Sequence, residues 1–234
     1  MKLFRKLVSL LERLLPRPIF LLLYGIYANF FNICNLLFGY GQWRTSFTHT
    51  SIDAHGAPIP WFTYPAIEYL NGLDLSQMSV FEFGSGNSTR YWAQHVERVV
   101  AVEDNPVWAA NVRHDCAENT TILIAESAAT YSELMMKEND SFDIIVIDGT
   151  DRLGCARAIA GRLRAGGFVI LDDADEHVEA AEVLRQYNLL EVDFAGFSPI
   201  ISYTKTTTFF FDPQFRPKPR KKQMPPHSVC HPLA

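Results

Sequence analysis

Between Val80 and Tyr187 strand-like and helical hydrophobic patterns alternate five times in this chain, and few architectures accommodate that. Short β-branched or aromatic runs lie at Val80–Phe83, Arg98–Val102, Thr121–Ala125, Phe142–Ile147 and Phe168–Leu171. Helical spacing fills the gaps at Ser88–His95, Pro106–Ala117, Ala128–Lys137, Cys155–Arg164 and Glu176–Tyr187. Runs that are apolar on both faces must be covered on both faces, so strand and helix in alternation predict a parallel, doubly wound sheet. The ending differs. Leu190–Phe194 and Ser202–Phe211 are strand-like, and Gly196-Phe197-Ser198-Pro199 between them leaves no room for a helix. They predict an antiparallel hairpin on the sheet edge. The expected fold is therefore α/β: a seven-stranded, mostly parallel sheet closed by that hairpin, with helices ahead of it.

Three zones follow. Residues 1–60 are basic, then apolar, then turn-rich; residues 61–212 carry the alternation; residues 213–234 hold six prolines and the basic cluster Arg216, Lys218, Arg220, Lys221 and Lys222, which reads as a disordered tail. With 48% apolar residues the chain as a whole can bury a core, and a formal charge of −5 argues against nucleic acid as the partner. Cys34, Cys116, Cys155 and Cys230 form no CxxC pair, which fits a reducing, cytoplasmic setting better than a disulfide or zinc framework.

The turn after the first run reads Glu82-Phe83-Gly84-Ser85-Gly86-Asn87-Ser88. Its glycines let the backbone turn sharply and approach a ligand. Glu103 closes the second run, seventeen residues after Gly86, where a carboxylate can accept both hydroxyl protons of a ribose. Glu82 decides between ligands. A pyrophosphate would be repelled by that carboxylate, whereas a ligand with sulfonium and ammonium groups gains from it.

These residues, with Asp104, Asp143 through Asp148-Gly149, and Gly166-Gly167, resemble the class I S-adenosylmethionine-dependent methyltransferases over residues 61–212. The lead-in Pro60-Trp61-Phe62-Thr63-Tyr64-Pro65 is similar to that of a bacterial subgroup of the family. The resemblance implies S-adenosylmethionine as cofactor. It places Glu82, Gly84, Ser85, Gly86, Asn87 and Ser88 at the methionine part, Glu103 and Asp104 at the ribose, Glu126 and Ser127 beside the adenine, and Asp148 next to the cofactor. The third glycine of the commonest motif is replaced here around Asn87-Ser88.

Candidates for the chemistry sit at the carboxyl ends of the strands, where such sheets bind ligands. Asp148 ends the fourth run, and Asp172 and Asp173 end the fifth. Two readings stand. Asp148, Asp172 and Asp173 hold one Mg²⁺ that lowers the pKa of a substrate hydroxyl, an arrangement similar to metal-dependent O-methyltransferases. Alternatively these acids cap helices, with Asp148 or Asp173 as a base. His49 and His55 are placed to line a pocket, His177 faces solvent, and the aromatic residues on either side of the core read chiefly as packing.

Residues 18–43 contain no charged side chain; as a helix, Ile19–Gly41 would extend about 34 Å, enough to cross a bilayer. Its length also exceeds that of a signal-peptide core. Met1–Leu15 ahead of it is amphipathic, with Leu3, Phe4, Leu7, Leu10, Leu11 and Leu14 opposite Lys2, Arg5, Lys6 and Arg13. Gly25, Asn29, Asn32, Asn35 and Gly39 gather on one stripe that suits packing on protein. Five basic residues precede the apolar run while Arg44 alone closely follows, so a span would export the domain away from a cytosolic cofactor. The expectation is helices that cap the substrate side and lie on the inner membrane surface, with a span and intradomain packing as the alternatives.

Together these readings predict methylation of a hydroxyl on a small-molecule or glycan-type acceptor. The rivals are a nucleic-acid methyltransferase, disfavoured by Asp148-Gly149-Thr150 where an Asn/Asp-Pro-Pro-Tyr/Phe motif would stand, and a non-catalytic membrane-attached binding module.

Overall fold

The computed structural model describes residues 2–138, 140–222 and 225–231, with the side chains of residues 2–7, 128 and 129 outside the description. The amphipathic face expected at Leu3, Phe4 and Leu7 therefore lies outside the described residues.

Seven strands form one sheet: β1 (Ser79–Phe83), β2 (Arg98–Glu103), β3 (Thr120–Ile124), β4 (Phe142–Ile147), β5 (Leu163–Leu171), β6 (Leu190–Phe197) and β7 (Thr204–Phe211). Their order is β3-β2-β1-β4-β5-β7-β6. The first five pair in parallel, and β7 joins β5 and β6 antiparallel. β1 is thus central, and the chain leaves it toward β2 on one side and returns to β4 on the other. That reversal opens a crevice at the carboxyl ends of β1 and β4.

Side chains alternate across β1 and give the sheet two cores. Phe81 and Phe83 pack with Val100, Ile145, Val169 and Leu184 on one face; Val80 packs with Trp92, Ile144, Phe168 and Phe209 on the other. The covering helices are α4 (Tyr64–Gly72), α5 (Asn87–His95), α6 (Pro106–His114), α7 (Ala128–Tyr131), α8 (Glu133–Lys137), α9 (Arg152–Ala158) and α10 (Val178–Arg185), after α1 (Lys2–Leu14), α2 (Arg17–Cys34) and α3 (Gln42–Thr48) in the amino-terminal zone. Proline at the first turn and the Asn105 side chain, which accepts from Val107 N and Trp108 N, start α6.

Several boundaries move. The helix expected over Cys155–Arg164 is α9, begun earlier by an Asp151 cap and ended by Ala158, because Leu163 already pairs with Phe142 in the sheet. Residues 128–137 form two short helices rather than one. β6 continues through Gly196 and Phe197, which pair with Lys205 and Thr204, so the hairpin connection is residues 198–203. The described part of the expected disordered tail is tied to the domain: Asp74 N donates to Lys218 O at 2.8 Å and Arg220 N to Gly72 O at 2.9 Å.

The largest difference lies before Trp61. α2 continues as a π-helical turn, Asn35–Gly39, and has no buried residue. Among the described residues its polar stripe meets the rest of the protein at the end, where Cys230 donates to Asn35 O. α3 and residues 49–60, in contrast, belong to the globular part. Tyr64 Oη donates to Gln42 Oε1 at 2.6 Å, Ile59 joins the core, and Asn87 Nδ2 donates to Ser51 O at 2.6 Å. A turn-rich segment has no period to reveal such packing in the sequence.

Candidate active site

A cavity of about 790 Å³ opens in the crevice, within the range of roughly 300–1,000 Å³ typical of small-molecule sites. One wall is the turn from β1 into α5 (Ser85, Gly86, Asn87 and Ser88) with Arg90, Trp108 and Asn111. The floor is Asp148, Asp172 and Asp173. The other wall is His49, Thr50, Ser51 and Trp61 facing Ile200, Ile201, Tyr203 and Lys205.

Gly84 adopts φ +111°, and a Cβ there would stand 2.9 Å from Asp148 O. Only glycine fits both demands, so β1 can hug β4 at the floor. Gly86 differs, because a Cβ on it would meet nothing within 4 Å. It faces the cavity and leaves backbone there for a ligand to approach.

Glu82 is fully buried beneath α5 and is not part of the lining. Thr89 Oγ1 donates to Glu82 Oε2 at 2.5 Å and accepts from Gly86 N at 2.9 Å, which ties the carboxylate to the turn. Its other oxygen, Oε1, has no partner among the described residues. Burial pushes the Glu82 carboxyl up to about 8 against the hydrogen bonds it accepts. Glu103 is also buried and, like Glu82 and Gly84, is not part of the lining. It accepts from Ser85 Oγ at 2.7 Å, Asp104 N at 3.2 Å and Asn105 N at 3.0 Å, with lone pairs of Oε2 still available. Trp108 Nε1 closes over this corner by donating to Ser85 O at 2.8 Å.

Other sequence candidates lie elsewhere. Asp104 accepts from Thr150 Oγ1 outside the lining. Glu126 and Ser127 are exposed beyond β3 and do not reach the cavity, nor does His55. His177 is half-buried and bonded to Arg152 rather than facing solvent alone. His49 does line the cavity.

The three floor carboxylates converge, each offering an oxygen within 4.8 Å of the others. Cations of the chain already occupy the space among them. Lys205 Nζ is bonded to Asp172 Oδ2 and stands 2.9 Å from Asp173 Oδ1; Arg152 Nη2 lies 2.8 Å from Asp148 Oδ1 and 3.1 Å from Asp173 Oδ2. Thr207 Oγ1 donates to the remaining Asp172 oxygen at 2.6 Å. Burial, then the charge of Asp148, raises the Asp172 carboxyl, opposed by Lys205; burial lowers the Lys205 ammonium, and Asp172 and Asp148 outweigh that and raise it. With both Asp172 oxygens receiving donors, we assign an ammonium–carboxylate pair. A Mg²⁺ needs open carboxylate oxygens, so this donor set does not fit one. For S-adenosylmethionine the residues fit: an orphaned buried carboxylate oxygen at Glu82, open space over Gly86 and the donor-ringed Glu103 suit a cationic, ribose-bearing ligand.

Sequence reasoning missed Lys205, Arg152, Arg90 and Trp108. Lys205 carried one signal, a lone charge inside the strand-like run Ser202–Phe211.

Residues 81–174 match the family model described as a methyltransferase domain. The match runs from β1 to just past β5, so the parallel part of the seven-stranded sheet is similar to a methyltransferase domain. No curated protein matches the chain. Among solved structures it is similar to a precorrin-6y C5,15-methyltransferase from Geobacter metallireducens at 15% identity and a TM-score of 0.51, covering 63% of this chain and 87% of that one. It is also similar to an O-methyltransferase from Bacillus cereus in complex with SAH, at 16% identity and a TM-score of 0.48, covering 63% and 78%.

Proposed function

We propose that the chain methylates a hydroxyl oxygen of a small-molecule or glycan-type acceptor, lipid-linked and met at the cytoplasmic face of a membrane. The observation that carries the reading is a charged floor of Asp148, Asp172 and Asp173 beside the Ser85–Ser88 turn, under an aromatic wall of Trp61 and Tyr203. Bound S-adenosylmethionine supplies a methyl group on a sulfonium. Ser85, backed by Glu103, would hold its ribose, and the carboxyl of Glu82 buried beneath the turn would favour the cationic end. Asp173 takes the proton that the acceptor hydroxyl loses. It is a non-glycine residue at φ +53°, a conformation that costs energy and persists where surroundings impose it, here Arg152 and Lys205.

The amino-terminal zone supports the membrane setting. Residues 17–39 form an apolar helix long enough to cross a bilayer and buried nowhere. Exposed Trp43 and Phe47 continue that surface along α3, which is bonded to the cavity rim through Gln42 Nε2 donating to Ile201 O at 2.9 Å. The excess of basic residues before this helix favours lying on the inner surface over spanning it.

Mass spectrometry of small molecules co-purified with the protein tests the cofactor, and labelled methyl transfer into lipid-linked and free hydroxyl acceptors tests the reaction. Recovered adenosylmethionine or its demethylated product, with label in an ether linkage, supports the reading. Label on nitrogen or on nucleic acid sinks it.

A further inference from the structure

We propose that Lys205 is the acceptor-binding cation of this site, a charge built into the last strand in the place a divalent metal would otherwise take. The inference rests on the O-methylation reading for its acceptor and on the structure alone for its metal clause. Lys205 lies on β7, its side chain 7% exposed, and lines the cavity. An ammonium has three donors. One goes to Asp172 and one to Asp173, 2.9 Å away. The third is left for an oxygen in the cavity, under the Trp61 ring whose centroid is 5.9 Å from Nζ. An acceptor hydroxyl held there is polarised as it would be on a metal. Its oxygen forms the new bond to the methyl carbon, its proton passes to Asp173, and the electron pair of the broken carbon–sulfur bond stays on sulfur.

The same geometry excludes the metal. A divalent ion among these carboxylates would sit about 2.1 Å from their oxygens and within a few ångströms of two fixed cations, Lys205 and Arg152. Lys205 cannot withdraw freely: Asp172 is 1% exposed and depends on Lys205 and Thr207 for its hydrogen bonds.

Electron paramagnetic resonance of the full chain titrated with Mn²⁺ gives a readout independent of turnover. The parent should bind Mn²⁺ no tighter than about 1 mM. Lys205→Met opens the acidic pair, and its Mn²⁺ affinity should rise at least ~10-fold, as expected for removing a unit charge a few ångströms away. Lys205→Arg should behave as the parent does. Methyl transfer by the parent should be equal in Mg²⁺ and in a chelator. Stoichiometric Mn²⁺ on the parent that is lost in Asp173→Asn overturns the proposal, as does a folded Lys205→Met that gains no affinity. If Lys205→Met fails to fold, the parent titration with its Asp173→Asn control decides. Calorimetry with S-adenosylmethionine separates the two readings, since absent cofactor binding removes the methyltransferase proposal and leaves the Mn²⁺ result standing.

Discussion

Thr89 Oγ1 donates to Glu82 Oε2 at 2.5 Å while accepting from Gly86 N, so one hydroxyl joins the buried carboxylate of β1 to the turn that lines the cavity. A charge change at Glu82 is thereby felt where a ligand binds. Glu82 has an ordinary pKa of 4.5 and is raised to about 8 in the fold. The native state therefore holds a proton that the unfolded chain has lost, and stability falls as pH rises from 4.5 to about 8, then levels off. Subtracting the pH–stability curve of Glu82→Gln from that of the parent should leave this slope. A flat difference would rule out the buried proton.

A cationic ligand favours the ionised form of Glu82. Binding of S-adenosylmethionine at pH 7 should accordingly release a proton, seen by calorimetry in buffers of different ionisation enthalpy, and Glu82→Gln should abolish the release. Glu103→Ala and Glu82→Ala should each weaken the cofactor by about 1.5–3 kcal/mol, the scale of hydrogen bonds to charged groups. Unchanged affinity in both folded variants would remove them from the site.

The two glycines of the turn should respond oppositely. Gly84→Ala meets Asp148 O and an unfavourable φ, so it should lower stability by at least ~2 kcal/mol. Gly86→Ala has open space and should leave stability within about 0.5 kcal/mol while weakening the cofactor. Thermal unfolding paired with calorimetry reads both; equal losses of stability would contradict the distinction.

Thr207 Oγ1 serves two partners, donating to Asp172 and accepting from Thr63 N at 3.0 Å. Thr207→Val keeps the shape and strands both groups in a buried place, which should cost about 3 kcal/mol. Denaturant titration checks this, and a loss below about 1 kcal/mol would mean that Asp172 finds another donor.

Deleting residues 1–41 should leave a folded protein that binds S-adenosylmethionine, with a modest loss of stability from Leu36 and from Tyr40, whose Oη donates to Glu68 Oε1 at 2.5 Å, because the contacts of α3 itself begin at Gln42. The full chain should sediment with membranes and be released at least in part by alkaline carbonate, as an interfacial helix held partly by basic contacts would be. Complete retention in carbonate would indicate a span. Aggregation of the truncated chain would place α2 inside the fold.

The sheet was legible in the sequence because buried parallel strands leave short unbroken apolar runs, such as Ile144–Ile147. The β1 turn was legible because its chemistry is local: Glu82 through Ser88 are seven consecutive residues. The acceptor side was not. Lys205 meets Asp172 across 33 residues and Trp61 across far more, and only the register of β7 against β5 brings them together. Glu126 and Ser127 failed in the opposite way, since following β3 in sequence did not carry them to the cavity.

The two walls of the cavity differ in how far apart in the chain their residues lie. The cofactor wall is drawn from residues 85–111, whereas the other is stitched by Gln42 to Ile201 and by Ile200 N donating to Thr45 Oγ1 at 3.0 Å, the latter holding Ile200 at φ +73°. Closing chain segments of that length is entropically dear, and a β-branched residue in that conformation relaxes once released. On the proposed reading, the wall built by these long-range contacts should part before the turn wall in local opening. A molecule too large for the closed cleft would then gain a way in while a ligand at the turn stayed held.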